Sequence, residues 1–340
     1  MTPLLESPAP KLDGDMQERF ESLLYCPFMK QFSQVMQASK ASATSEEYSP
    51  DVEIELSQIR AQAVTQATAN LAWPSVPAIV EQLDSVLSSP EVCAADIAEV
   101  VMMDVGITAR LLSLVNSAVY NLPREIESVE QAVALLGSDK VRNAALAVSV
   151  ITTFSKNDVD GFDSQSFWQH SLAVATCSRF LGNVLRDRGD DSPDPGKLFL
   201  AGLMHDIGRV VIVQQLPDYF QHIRSAVNDG EMSLLDAEHS VLGKGHTDLG
   251  AELLTGWKMD SEICGAARNH HAPSLDDTFA CLVHCADVIA HGLGYSLEQT
   301  PVPRTDPAVW EKLEFTNESI RAIGTKLIEQ MDVLTAAILS

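Results

Sequence analysis

The pair His205-Asp206 closes an unbroken apolar run, Leu198 to Met204, that has small residues inside it. A run of that kind is drawn into a core, and it carries an imidazole and a carboxylate in with it. An unpaired buried carboxylate is costly, so any fold this chain adopts must supply partners for Asp206. Together the two side chains are good ligands for a borderline or hard divalent cation. The chain also holds His170, His246, His270, His271 and Asp287, each at a helix-compatible position. Singly, each has a plainer reading. His170 is a surface or satisfied core histidine, and Asp206 is a cap or half of a salt bridge. His246 caps a helix after Gly243 and Gly245 or lies on the surface. His270-His271 sit at a helix C-terminus, where the dipole favours positive charge. Asp287 has no such excuse, because it falls in mid-helix between Ala286 and Val288. Taken in order, the set points to one cation cage. His222, His239, His284 and His291 fit no such order and are read as ordinary; His284 is a helix-surface neighbour of Asp287, three residues on.

The fold class follows from periodicity and composition. Aromatics make up 6% of the chain while Ala and Leu abound, a balance that favours helix over sheet. A loose arm covers 1–15, helices are expected over 16–39 and 53–71, and a Ser/Ala/Thr/Glu-rich linker lies between them at 38–50. After Trp73-Pro74-Ser75-Val76-Pro77, Pro77 starts a helix carrying Ile79, Val80, Leu83 and Leu87. Val92–Met103 and Thr108–Asn116 follow, and Ser128 to Gln131 has the form of a capping box with Gly137 at the far end. Val141–Phe154 is apolar on several sides and reads as a central helix. Beyond an acidic loop come Phe167–Leu185 and one helix from Lys197 to Gln215 that contains the His-Asp pair. Later helices are expected at 217–227, 234–242, 247–257, 263–270, 275–292, 310–313 and from Asn317 onward. No strand pair, phosphate-cradling glycine loop or repeat is found. The expectation is an all-α, multi-helix bundle in which an N-terminal helical subdomain (71–163) packs on a second helical subdomain (164–293). An extension at 1–70 and a helical tail at 294–340 flank them.

Charge and cysteine usage narrow the function classes. A net charge of −24 repels phosphate backbones and anionic membrane surfaces, so neither nucleic acid nor membrane is expected as a partner. No apolar run reaches the roughly 18 residues of a membrane span, and no secretory leader is recognisable, so a cytoplasmic location is expected. Cys26, Cys93, Cys177, Cys264, Cys281 and Cys285 form no CxxC pair and are read as reduced core or near-core thiols. The lack of a G-x-S-x-G elbow disfavours a serine hydrolase.

The order His170, His205-Asp206, His246, His270-His271, Asp287 resembles the ligand order of the HD superfamily of metal-dependent phosphohydrolases. Asp104 to Ala118, Val129 to Gly137 and Val141-Arg142-Asn143 resemble segments of the HDOD family within it, as do Glu238, Gly243, His246, Leu249-Gly250, Trp257 and His270-His271. The likeness runs from about Leu71 to Asp287. It implies an HD-type helical fold and a bacterial signal-transduction module, generally non-enzymatic and acting through a signalling protein partner. It also implies one or two divalent ions (Fe, Mn, Zn, Ni or Mg) on those seven residues. The alternative it carries is a phosphohydrolase acting on a nucleotide or phosphoester, with Asp206 and Arg209 as catalytic candidates and Lys244 and Arg268 as further phosphate contacts. Arg209 stands where related HD-GYP phosphodiesterases carry Lys, and Ala272-Pro273-Ser274 replaces their Gly-Tyr-Pro. Arg does not surrender a proton, which argues against acid catalysis from that position. Arg110 and Asn116 mark the segment where a partner contact is expected, with a buried polar bridge as the plainer role for Asn116.

Overall fold

The computed structural model describes residues 73–339, apart from 90, 118–119, 121, 123, 156–158, 191–192, 229–231, 297–302 and 304. The arm, linker and helices expected before Trp73, and Cys26, lie outside the described residues. The described chain is helical throughout, as expected of an all-α bundle. Its first half comprises α1 (Ala78–Leu87), α2 (Ala94–Met102), α3 (Val105–Asn116), α4 (Val129–Leu136) and α5 (Ser138–Phe154). The second half comprises α6 (Ser164–Asp187), α7 (Pro195–Met204), α8 (Ile207–Gln215), α9 (Pro217–Asn228), α10 (Leu234–Leu242), α11 (His246–Gly256), α12 (Ser261–Asn269) and α13 (Thr278–Gly292). Two more, α14 (Pro307–Leu313) and α15 (Asn317–Leu339), close the chain.

Local chemistry sets the helix ends. Asp104 starts α3 by accepting from the Ile107 N–H at 2.9 Å, earlier than periodicity alone suggests. Ser128 caps α4 through the Gln131 N–H, but Gln131 reaches past the cap to the Glu127 N–H, so the second leg of the expected capping box is displaced by one residue. Gly137 ends α4 and begins α5 at φ +90°, a left-handed setting that favours glycine. The Asn116 side chain clasps Ile126 from both sides, accepting from its N–H (2.7 Å) and donating to its carbonyl (2.8 Å). That is the structural bridge, and it occupies the amide within the chain.

One apolar core runs through both halves, from Ile79 to Ile338. Helix α5 is buried along Ala144 to Ile151 on all its faces, as its uniform apolarity requires. The Trp257 indole donates to the Pro74 carbonyl at 2.8 Å and its ring stacks near Phe154, tying α11 to the first half. A smaller cluster (Ile212, Ile223, Ala237, Leu242, Leu249) joins α8 to α11. Helix α6 packs against α7, α13 and α15. Gly202 makes the α6–α7 approach possible: a Cβ there would lie 2.7 Å from the Ala175 Cα. This crossing brings the end of α7 beside the middle of α6, and so His205 beside His170.

The helix expected from Lys197 to Gln215 is broken in two at His205-Asp206. Asp206 leaves helical geometry (φ −102°, ψ 11°) and its carbonyl accepts from the Arg209 N–H at 2.9 Å, a tight three-residue turn. The cause lies across the interface. A Cβ on Gly208 would run into the His246 carbonyl, so α8 must tilt to seat its glycine on the start of α11. Periodicity could not show this, since both segments are apolar. Of the cysteines, Cys177, Cys281 and Cys285 are buried, Cys264 is half-buried, and Cys93 is exposed at the α2 cap, against the core or near-core reading.

Candidate metal centre

Four helices and one break between two others deliver the charged cluster. His170 comes from the interior of α6, His205-Asp206 from the α7–α8 break, and His246 from the first residue of α11. His270-His271 follow the end of α12, and Asp287 sits in mid-α13. His170, His205, Asp206, His246, His270 and Asp287 are all 5% exposed or less. Polar side chains this deep need partners, and the structure brings these together rather than scattering them.

Each deep imidazole has one nitrogen tied from behind. Nδ1 of His170 donates to the Tyr295 carbonyl (2.8 Å), that of His205 to the Gly202 carbonyl (2.8 Å), and that of His270 to the Ala267 carbonyl (3.0 Å). A carbonyl can only accept, so these contacts fix the proton on Nδ1 and leave a lone pair on Nε2. His246 is held by a carboxylate: Glu238 Oε2 accepts from both its Nδ1 (2.6 Å) and its backbone N–H (2.8 Å). Glu238 itself is 2% exposed. A ligating histidine usually donates its second nitrogen in this way, which orients the ring and raises its basicity.

The free nitrogens face carboxylate oxygens. Asp206 Oδ1 lies 3.1 Å from His246 Nε2, 3.5 Å from His270 Nε2 and 3.7 Å from His205 Nε2. Asp287 Oδ1 lies 3.3 Å from His170 Nε2 and 4.0 Å from His205 Nε2. His246 Nε2 and His271 Nε2 are 3.1 Å apart. Despite this crowding, Asp206 Oδ1, Asp287 Oδ1 and His270 Nε2 have no aligned hydrogen bond. Lone pairs confronting lone pairs in a dry interior repel unless a proton or a metal ion lies between them, and a single proton, such as one on His246, relieves only one of these contacts. Donors about 2.0–2.1 Å from a zinc-like ion stand roughly 3.0–3.4 Å apart at the edges of its coordination shell. The spacings of 3.1 and 3.3 Å match that and those of 3.5, 3.7 and 4.0 Å are wider, so the residues fit a divalent ion once the wider pairs draw in. The sets that could hold one are Asp206, His246, His270 and His271; His170, His205 and Asp206; and His170, Asp287 and His291.

Charge inside the cluster is unevenly shared. Burial pushes His205 down to about 4 against the pull of Asp206. Burial and the neighbouring His270 and His246 push His271 down to about 2. Burial also opposes a charge on His246, but Glu238 and Asp206 outweigh it and raise it to about 10. Burial works against Asp206 ionising, yet His205 and His246 hold it well below the carboxylate range. Asp287 is likewise held low against burial, by His170 and His291.

His291 is no ordinary histidine: its Nδ1 is 2.9 Å from Asp287 Oδ1 and its ring is 4.7 Å from that of His170. The spacing Asp287 to His291, one helical turn, was the available signal. His284 is fully buried rather than on the helix surface, and its Nδ1 donates to the His270 carbonyl at 2.7 Å. Arg209 points its guanidinium at Asp206 Oδ2 (3.2 Å). Lys244 and Arg268 form ion pairs with Glu252 and Asp248.

Comparison with known proteins agrees with this architecture. The HDOD domain family matches residues 73–273. An HDOD domain protein of unknown function from Geobacter sulfurreducens shares the fold, with a TM-score of 0.62 and 22% identity, over 83% of this chain and 97% of that one. A proposed signal transduction protein from Marinobacter aquaeolei VT8 does so with a TM-score of 0.63 and 21% identity, over 83% of this chain and 66% of that one. An uncharacterized protein of Treponema pallidum is 20% identical over 198 residues, 58% of this chain and 37% of that protein, so the chain spans little more than a third of that relative's length. No described helix is long and apolar enough to cross a membrane. With the match extending over more than half of its length, the chain belongs to the HDOD domain family.

Proposed function

We propose that this protein is a regulatory HDOD module of bacterial signal transduction, without catalytic turnover, whose buried His/Asp cluster holds one or two divalent ions. The observation that carries this reading is the state of Asp206. Its Oδ1 faces the imidazoles with no aligned hydrogen bond, while its Oδ2 is engaged by Arg209. The same carboxylate is 5% exposed. A structural site is closed by protein ligands, whereas a catalytic site keeps a position open to substrate. Guanidinium on the outer oxygen and near-complete burial both favour the closed kind. When bound, the ion supplies positive charge that relieves the confronted lone pairs and joins the helices that carry them at one point. The protein's own part is to orient: Tyr295, Gly202, Ala267 and Glu238 hold the imidazoles so that their Nε2 atoms converge.

Output would pass through a protein partner. The turn between α2 and α3 exposes Met102, Met103 and Val105 (47%, 69% and 81%), and these open the segment from Met102-Met103 to Asn116 expected to make that contact. Exposed methionines suit an adaptable binding surface. Arg110, which donates to the Thr152 hydroxyl at 3.1 Å, sits on the same helix.

The second reading, a metal-dependent phosphohydrolase, is favoured by the filled ligand set and by a guanidinium adjacent to it. The test is hydrolysis of bis(p-nitrophenyl) phosphate by full-length protein loaded in turn with Mn, Fe, Ni and Zn. A rate at background is expected for every metal. A clear rate abolished by Asp206→Ala would reverse the order of the two readings.

A further inference from the structure

The ligand order that the family resemblance implies ends at Asp287, and His291 has no place in it. We infer that His291 is itself a metal-binding residue, completing with His170 and Asp287 a cation position separable from the one at Asp206, His246, His270 and His271. The inference rests on the cluster being a metal centre, and it concerns how many positions that centre has and who builds them.

The geometry divides in two. Asp206 Oδ1 is the hub of one set, with imidazole nitrogens of His246 and His270 within 3.5 Å. Asp287 Oδ1 is the hub of the other, with nitrogens of His291 at 2.9 Å and His170 at 3.3 Å. The bystander reading makes His291 a hydrogen-bond partner that satisfies Asp287. It fails on direction. A proton on His291 Nδ1 would be directed at the Asp287 backbone carbonyl, one turn back, at 3.0 Å, and not at Oδ1; with the proton on Nε2 instead, Nδ1 presents a lone pair beside Oδ1. Asp287 Oδ1 is still left without an aligned donor, although it is buried. His170 cannot supply one, because its proton is held on Nδ1 by Tyr295. A buried carboxylate oxygen thus faces two rings in a pocket where 7% of the His291 side chain is exposed. One nitrogen of His291, one of His170 and an oxygen of Asp287 lie within 4.8 Å of one another. A cation is the partner that all three lack.

The donor set also selects the ion. Two imidazoles and one carboxylate suit Fe, Co, Ni or Zn, whereas an all-oxygen set would suit Mg or Ca. The occupant is therefore a borderline first-row divalent ion, held more tightly than Mg.

The experiment counts ions and reads their surroundings. Full-length protein, stripped and reloaded with Co(II) in excess Mg, is analysed for bound cobalt and for its visible absorption. Wild type, His291→Ala, His291→Gln and His246→Ala are compared, with circular dichroism confirming the fold of each. The expected result is two cobalt ions in wild type, one in each variant, and loss of different absorption bands in the His291 and His246 variants. Free imidazole should restore the missing band in His291→Ala. If folded His291→Ala and His291→Gln keep both ions with the wild-type spectrum, His291 is only a neighbour and the inference fails. If both classes of variant lose the same ion, there is no separable position and it fails likewise. A wild type that binds no cobalt at all would instead remove the metal centre on which the inference stands.

Discussion

The two halves of this molecule share a core but bury different chemistry. Between Ala78 and Phe154 the buried polar residues among the described ones are Ser117 and Ser149, each donating its hydroxyl to a carbonyl three or four residues back. Between Ser164 and Gly292 the interior takes in His170, His205, His246, His270, His284, Asp206, Glu238, Asp287 and Arg179. The first half is thus organised by apolar packing and self-contained hydroxyls. The second folds around charges that apolar burial alone does not favour. A scaffold of the first kind needs no bound ion to balance its interior. One of the second kind draws stability from whatever neutralises its interior.

The sharpest way to break the contrast is a pair of substitutions, one in each half. Asp206→Ala should abolish stoichiometric metal, weakening affinity beyond the roughly 10–100-fold expected from losing an outer partner. Leu114→Ala, at a fully buried position of α3, should cost about 2–5 kcal/mol in denaturant unfolding while leaving the metal content of the folded fraction unchanged. Elemental analysis and urea melts on both variants decide the matter. If Leu114→Ala also empties the cluster while folded, the halves are not chemically independent. Chelation is the next largest lever. Metal held at about 1,000 times its Kd contributes about 4 kcal/mol, so EDTA should lower Tm by several degrees. Hydrogen exchange should place the lost protection in residues 164–292, and uniform loss across both halves would contradict the division.

Glu238 tests the same idea from outside the ligand set. Among the described residues it pairs with no charged group but His246, and it grips that residue at two points. Glu238→Gln keeps an acceptor for the ring N–H but removes the charge. Metal affinity should fall about 10–100-fold, with the fold intact by circular dichroism. An unchanged affinity would mean that the ring is oriented by packing alone.

How much of this was legible beforehand differs between the halves for the same physical reason. Helix position and apolar face are local properties, so α1, α2 and α5 were readable from spacing within a few residues. Ligands are another matter. His205-Asp206 stand out in the sequence because polar groups end an apolar run, and Asp287 because it interrupts one. His291 ends its helix one turn past Asp287, where a histidine has a ready explanation in the dipole, and so its proximity to His170 was hidden. Glu238 could be singled out only by resemblance, since the residue it holds lies beyond a loop. The break at Asp206 depends on the close contact of Gly208 with His246, a pairing between segments that no periodicity relates. Tyr295 shows the limit most clearly: its backbone carbonyl sets the His170 tautomer, and no side-chain pattern announces what a carbonyl will do.

The smallest expected effect probes how α6, which carries His170, is started. Asp163 caps that helix, accepting from the Ser166 N–H at 3.0 Å and the Ser166 hydroxyl at 2.6 Å. Those bonds favour the ionised form and hold the carboxyl below its ordinary 3.8. Its contribution is therefore complete above the unfolded value and is lost as pH falls through the lower, folded one. Asp163→Ala should cost about 0.5–2 kcal/mol at neutral pH, and the gap between the two proteins should narrow only below about pH 4. Because the cap lies three helical residues before Phe167, the His170 ring should keep its place and the metal content should not change. Urea melts of both proteins from pH 3 to pH 7, with metal analysis at pH 7, measure each part. A constant gap across that range would show that the cap works through backbone geometry and not through its charge. A loss of metal would show that the start of α6 is coupled to the cluster after all.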